Sequence, residues 1–85
     1  MDYEKTSSLL KALGHPLRLQ IVKGLITGKC CVTEMCVKLN APQSTISQHL
    51  AVLRNAGIIT PRKQGVKTCY DVTNSVVLKM MELLA

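Results

Sequence analysis

Apolar residues recur at helical spacing through most of the chain and at strand spacing for a stretch after Gly57. Leu9, Leu10 and Leu13 make the apolar side of a short first helix that Gly14 stops. His15-Pro16 restarts the chain, since a proline fits the first helical turn, where its missing N–H would have no partner anyway. Leu17, Ile21, Leu25 and Leu19, Val22, Ile26 form two adjoining stripes, so the second helix buries a wide face, with Gly28 as its stop. Thr33 reads as the N-cap of a short third helix with Met35 and Leu39 inward, and Asn40-Ala41-Pro42 breaks it. A fourth helix over residues 43–56 carries Ile46, Leu50 and Leu53 at i, i+4 and i+7, and Gly57 ends it. Two helices joined by a three-residue break, the second one longer, follow helix-turn-helix grammar.

Beyond Gly57 the period changes. Ile58-Ile59-Thr60 and Thr68-Cys69-Tyr70-Asp71-Val72 are β-prone runs on either side of Arg62-Lys63-Gln64-Gly65, which predicts a hairpin turned at Gln64-Gly65. Pro61 restricts the first run to an edge strand. Asn74 or Ser75 caps a last helix carrying Val76, Val77, Met80, Leu83 and Leu84. The order α-α-α-α-β-β-α predicts a mainly α winged helix-turn-helix with a two-stranded β wing. One domain spans residues 1–85, with a recognition helix at about 43–56 and a wing at about 58–72.

Length narrows the function. A chain of 85 residues is one domain at most and buries only about 60–65% of its unfolded surface. It has no Phe or Trp, so its core is aliphatic and thin, and a large catalytic domain with a deep cleft is not expected. The last helix carries more apolar side chains, Val76, Val77, Met80, Met81, Leu83 and Leu84, than one small monomer can cover. A homodimer through the first and last helices, residues 3–13 and 74–84, is expected. Two-fold symmetry would then set the two fourth helices about 34 Å apart, one DNA turn, over an inverted repeat.

Charge changes the picture further. Lys and Arg number 11 against five Asp and Glu, a net charge of +6. Between Met35 and Tyr70 no residue is acidic, while Lys38, Arg54, Arg62, Lys63 and Lys67 all fall there. A one-sign stretch within a folded domain points to a polyanion, although a solvated basic face would carry the same charges. The fourth helix decides between them. Opposite its apolar stripe lie Gln43, Ser44, Ser47 and Gln48, short uncharged hydrogen-bonding groups suited to the major groove. Together with a basic hairpin, they predict binding to double-stranded DNA.

Leu13-Gly14-His15-Pro16-Leu17-Arg18-Leu19, the block from Ser44 to Ile59 and Arg62-Lys63-Gln64-Gly65 with Tyr70 resemble the ArsR/SmtB family of homodimeric repressors, over nearly the whole chain. The resemblance implies that Gln43, Ser44, Ser47 and Gln48 contact bases or phosphates, and that Arg62, Lys63 and Lys67 reach the flanking minor groove. His49 falls in the same block, where it could pack, touch phosphate or read a base.

Relatives in that family often sense soft metals or metalloids in a stretch resembling Leu-Cys-Val-Cys-Asp-Leu-Cys. Here the stretch reads Cys30-Cys31-Val32-Thr33-Glu34-Met35-Cys36, with Thr33 in place of the middle cysteine and Cys30 as an extra thiol. With Thr33 as N-cap, Cys36 would be the third helical residue, where the helix dipole lowers a thiol pKa. Three thiolates from Cys30, Cys31 and Cys36 suit As(III), Sb(III) or Cd(II) as an inducer, with redox or reactive-sulfur sensing by the same thiols as the alternative. Packing as small hydrophobes is the third alternative. A structural zinc site lacks a second Cys or His pair, and the zinc site that some relatives carry on the last helix has no His here. Cys69 alternates with Lys67 and Asp71 and is expected to be peripheral, outside the sensing set.

Other classes are weaker. The carboxylates form no suggestive pair, and no nucleophile motif or Gly-rich phosphate loop is present, so an enzyme is not expected. A winged helix serving only as a protein-interaction module would not need the Ser/Gln face or the basic hairpin. No cofactor is required for DNA binding. No apolar run reaches a membrane span, and no export signal is visible, so a cytoplasmic protein with reduced thiols is expected.

Overall fold

A computed structural model describes residues 1–28 and 31–84. The elements follow in the order α1 (Tyr3–Leu13), α2 (Pro16–Ile26), α3 (Val32–Leu39), α4 (Gln43–Asn55), β1 (Ile59–Gln64), β2 (Lys67–Val72) and α5 (Ser75–Leu84). This is the winged helix-turn-helix order that the periodicity predicts. No helix among the described residues is long and apolar enough to cross a membrane.

Local chemistry sets most boundaries. Asp2 caps α1, its carboxylate accepting from the Lys5 N–H at 3.1 Å. His15 caps α2 through Nδ1, which accepts from the Leu17 N–H at 3.1 Å, and Pro16 follows in the first turn. Asn74 caps α5, with Oδ1 accepting from the N–H groups of Val76 and Val77. The second helix ends at Ile26 with Thr27 as its C-cap, and Gly28 just beyond takes φ 107°, the left-handed stop expected of it, while the Thr27 hydroxyl donates to the carbonyls of Lys23 and Gly24.

Both helices of the helix-turn-helix pair end the same way. At the end of α3, the Ala41 N–H reaches the Cys36 carbonyl and the Asn40 N–H reaches that of Val37, with Asn40 left-handed at φ 52°. At the end of α4, Ile58 donates to Leu53 and Gly57 to Arg54, with Gly57 at φ 76°. These are paired Schellman bonds, which satisfy the last carbonyls and reverse the chain sharply. In the second of them Ile58 packs where Leu53 does, and both are fully buried.

The core is one cluster: Ala12 and Leu13 of α1, Ile21, Val22 and Leu25 of α2, Met35 of α3, Ile46, Leu50 and Leu53 of α4, Ile58, Ile59, and Val77 of α5. No polar or charged residue is buried among the described residues. The apolar side expected for α1 is split, because Leu13 is buried and Leu9 half-buried, while Leu10 is 49% exposed. On α5, Val76 and Leu83 are likewise exposed.

Two sequence expectations need correction. Cys31, not Thr33, occupies the N-cap of α3, so Thr33 lies inside the first turn and Cys36 is the fifth helical residue. Val32 packs against the core, which draws the helix start earlier than the cap rule placed it. The wing strands also run longer than expected, through Arg62-Lys63-Gln64, with Gln64 paired to Lys67. Its turn is therefore Gly65-Val66. A turn at Gln64-Gly65 would ask Gln64 for a positive φ, whereas Gly65 takes φ 66° itself, as the first central residue of a type II′ loop does.

Candidate nucleic-acid interface

Burying Ile46, Leu50 and Leu53 forces the opposite side of α4 outward, and Gln43, Ser44, Ser47 and Gln48 are all exposed there. They fall at i, i+1, i+4 and i+5, one strip at the N-terminal end of the helix. The strip is uncharged and carries both donors and acceptors, so it can match base edges without a fixed charge. Pro42 is the N-cap and makes no side-chain capping bond, and no acid lies in the first turn. The first backbone N–H groups and the positive end of the helix dipole thus lie at the same end as the polar strip.

The wing supplies charge. Lys63 and Lys67 are exposed on β1 and β2, and Val66 stands fully exposed at the tip. Arg62 is different. Its guanidinium binds Asp71 across the hairpin, Nε to Oδ2 at 2.7 Å and Nη2 to Oδ1 at 3.3 Å, with both side chains about half exposed. An exposed pair of this kind is worth only about 0–1 kcal/mol.

His49 turns inward from the DNA-facing strip. Its ring lies 4.6 Å from that of His15 at the start of α2, tilted by 45°. Burial holds the His49 pKa below the usual histidine value, helped by His15 and Arg18 nearby. Of the roles open to it from sequence, this geometry favours packing between α2 and α4. A consequence is pH dependence. A histidine with a lowered pKa binds its proton more weakly when folded than when unfolded. The stability held by its neutral form is full above about pH 6.5 and is lost as pH falls through the folded-state value. The thermal midpoint is expected to drop between about pH 7.5 and pH 5, and His49→Gln to flatten that drop. Identical pH profiles for the two proteins would refute the assignment.

Of the candidate sensing residues, Cys30 lies outside the described residues. Cys31 and Cys36 are half-buried thiols, the first at the N-cap of α3 and the second in its middle, where it packs against the core. Among the described residues no three His, Cys, Asp or Glu side chains converge to hold a metal ion. The N-terminal N–H groups of α3 act on Cys31. The backbone of Glu34 first, and then of Thr33, holds the Cys31 thiol below its ordinary range, against a smaller opposing effect of burial.

Cys69 is not peripheral. It is only 3% exposed, its Sγ donates to the Gln64 Oε1 at 3.4 Å, and it faces Cys31 in an isolated antiparallel bridge. Alternation along the strand could not show that the start of α3 pairs beside it. The His15–His49 contact was missed for the same reason, since both are long-range pairings with no local spacing signal.

Comparison with known proteins agrees with this geometry. The model for "Bacterial regulatory protein, arsR family" matches residues 15–60. An uncharacterised helix-turn-helix transcriptional regulator of Methanocaldococcus jannaschii is 40% identical over 96% of this chain and 93% of its own length. The transcriptional repressor PagR of Bacillus anthracis is 38% identical over 99% of this chain and 85% of its own. Its crystal structure superposes with a TM-score of 0.89, covering 100% of this chain and 98% of that one. HlyU of Vibrio cholerae, a transcriptional activator, is 38% identical over 98% of this chain and 81% of its own. A structure of that protein gives a TM-score of 0.90 over 99% of this chain and 94% of that one. The chain belongs to the ArsR family and is a DNA-binding transcriptional regulator, not an enzyme.

Proposed function

We propose that the chain is a homodimeric repressor that occupies an inverted-repeat operator in double-stranded DNA and leaves it when thiols at the start of α3 meet a thiophilic inducer. The observation that carries the DNA reading is the exposed strip Gln43, Ser44, Ser47 and Gln48 at the N-terminal end of α4, flanked by the wing lysines. Several similar proteins, PagR among them, are repressors. The inducer reading rests on Cys31, an accessible thiol with its anionic form favoured, on the helix that leads into α4. As(III), Sb(III) or Cd(II) would take Cys31 and Cys36 with Cys30 as third thiolate. Oxidation or a reactive sulfur species is the second reading, and the pairing of Cys31 with Cys69 favours it.

The test is titration of DNA from upstream of its own gene, at several salt concentrations. Lys63→Ala or Lys67→Ala should weaken binding to every sequence and lower the salt slope by about one for each phosphate no longer neutralised. Gln43→Ala or Gln48→Ala should instead cost about 1–3 kcal/mol at particular base pairs. Unchanged salt slopes in the lysine variants would remove the wing from the interface. Arsenite, cadmium and hydrogen peroxide are then added to the complex. Release of Cys31→Ser and Cys36→Ser proteins as readily as wild type would place the inducer site elsewhere.

A further inference from the structure

Cys31 and Cys69 come from distant parts of the chain, yet the fold sets them opposite one another in a single antiparallel bridge. Paired residues in such a bridge have Cα atoms about 4.5–5.5 Å apart. A disulfide spans Cα separations of about 4.4–6.8 Å, so the backbone already sits within range. Cys69 is also the registered partner of Arg62 on β1, which places it centrally between the first wing strand and the start of α3.

Burial divides the pair by role. Cys69 is as buried as a core residue, but it lies outside the contiguous apolar core that joins all five helices. The start of α3 pairs with it along the strand edge, and the Gln64 amide accepts from its thiol. Cys31 is the more accessible of the two, and the first backbone amides of α3, with a smaller contribution from Lys67 of the wing, favour its thiolate. An accessible thiol beside a buried one is the arrangement of an attacking and a resolving cysteine.

We propose that Cys31 and Cys69 form a reversible disulfide that fastens the start of α3 to the wing strand β2. The proposal rests on the thiol-responsive function and supplies the partner that function lacked. A hydroperoxide ROOH is the oxidant. The Cys31 thiolate attacks its terminal oxygen, the O–O bond breaks, ROH leaves after taking up a proton, and Cys31 becomes a sulfenic acid. The Cys69 sulfur then attacks the Cys31 sulfur, forming the S–S bond, while the sulfenic oxygen departs as water with the Cys69 proton. Two thiols lose two electrons and two protons, and ROOH becomes ROH and H2O. A small dithiol reverses the step by exchange. Oxidation removes the bond from Cys69 to Gln64 and fixes the wing strand to the support of the recognition helix, altering their relative setting.

The experiment treats the whole protein with hydrogen peroxide, blocks remaining thiols with an alkylating agent and maps disulfides by mass spectrometry without reduction. The expected product is a Cys31–Cys69 peptide pair that a dithiol converts back. A different connectivity as the main product, such as Cys30–Cys31 or a link between two chains, would overturn the proposal. In parallel, oxidised wild type should bind operator DNA about 5–150-fold more weakly than reduced protein, the usual span of allosteric coupling. Cys69→Ala and Cys31→Ser should each abolish that difference, the second at a half-buried site where folding is less sensitive to the change. Release of Cys69→Ala by peroxide as fully as wild type would overturn this pairing while leaving thiol control intact. Wild-type binding unmoved by peroxide, arsenite and cadmium would defeat thiol control itself, and the peptide map would still report whether the link forms.

Discussion

Replacing Val76 and Leu83 together by aspartate is expected to give a monomer and to weaken operator binding by about 10²–10⁴-fold, the gain that linking two half-site modules otherwise provides. These residues are seven apart on α5, so they share a face, and they are 56% and 85% exposed. Tyr3 and Leu10 on α1, also seven apart, are 80% and 49% exposed. Apolar side chains left on one helical face at both ends of the chain are what a self-complementary interface requires. The core residue on α5, Val77, is untouched by the double substitution, so the monomer should keep its helical content. Sedimentation at micromolar concentration beside a DNA titration checks both halves. A dimer that persists, or a monomer that binds as tightly as wild type, contradicts the expectation.

Leu53→Ala should produce the largest loss of stability. Leu53 is fully buried in the packing that ends α4, against Ile58, and also fixes the orientation of the recognition helix. Leucine-to-alanine changes in cores cost about 2–5 kcal/mol. A domain of this size holds only about 4–13 kcal/mol in total, so the thermal midpoint should fall by roughly 10–30 °C. Val52→Ala, one residue away but 38% exposed, should cost less than about 1 kcal/mol. Thermal unfolding of both variants at one protein concentration is the check. Equal losses would show that α4 is not seated as described.

What the sequence made legible is what local rules govern. Ile46, Leu50 and Leu53 sit at helical spacing, so they announced both α4 and the outward direction of Gln43, Ser44, Ser47 and Gln48. Errors arose where two local signals competed. Thr33 is a better N-cap than Cys31 by side-chain chemistry, but Val32 packs against the core and the helix begins there. In the wing, Gly65 could have served as either central residue of the turn, and strand pairing out to Gln64 and Lys67 settled which. Nothing local pointed to Cys31 facing Cys69, or to His15 touching His49. Each pairing is made by folding distant segments together, and no periodicity records it.

The N-cap of α4 bears on how recognition is timed. Proline at that position gives the recognition helix no side-chain acceptor with which to hold its first amides, unlike Asp2, His15 and Asn74 at the starts of α1, α2 and α5. In the protein alone, the amides of Gln43, Ser44 and Thr45 should therefore trade hydrogen for deuterium quickly, while those of Leu50 and Leu53 trade slowly. A phosphate docked on that end would supply the missing acceptor, and the first turn would become protected only on DNA. Part of the recognition surface would then be completed by the nucleic acid itself, and isotope exchange along α4 would distinguish a merely captured duplex from one seated in register.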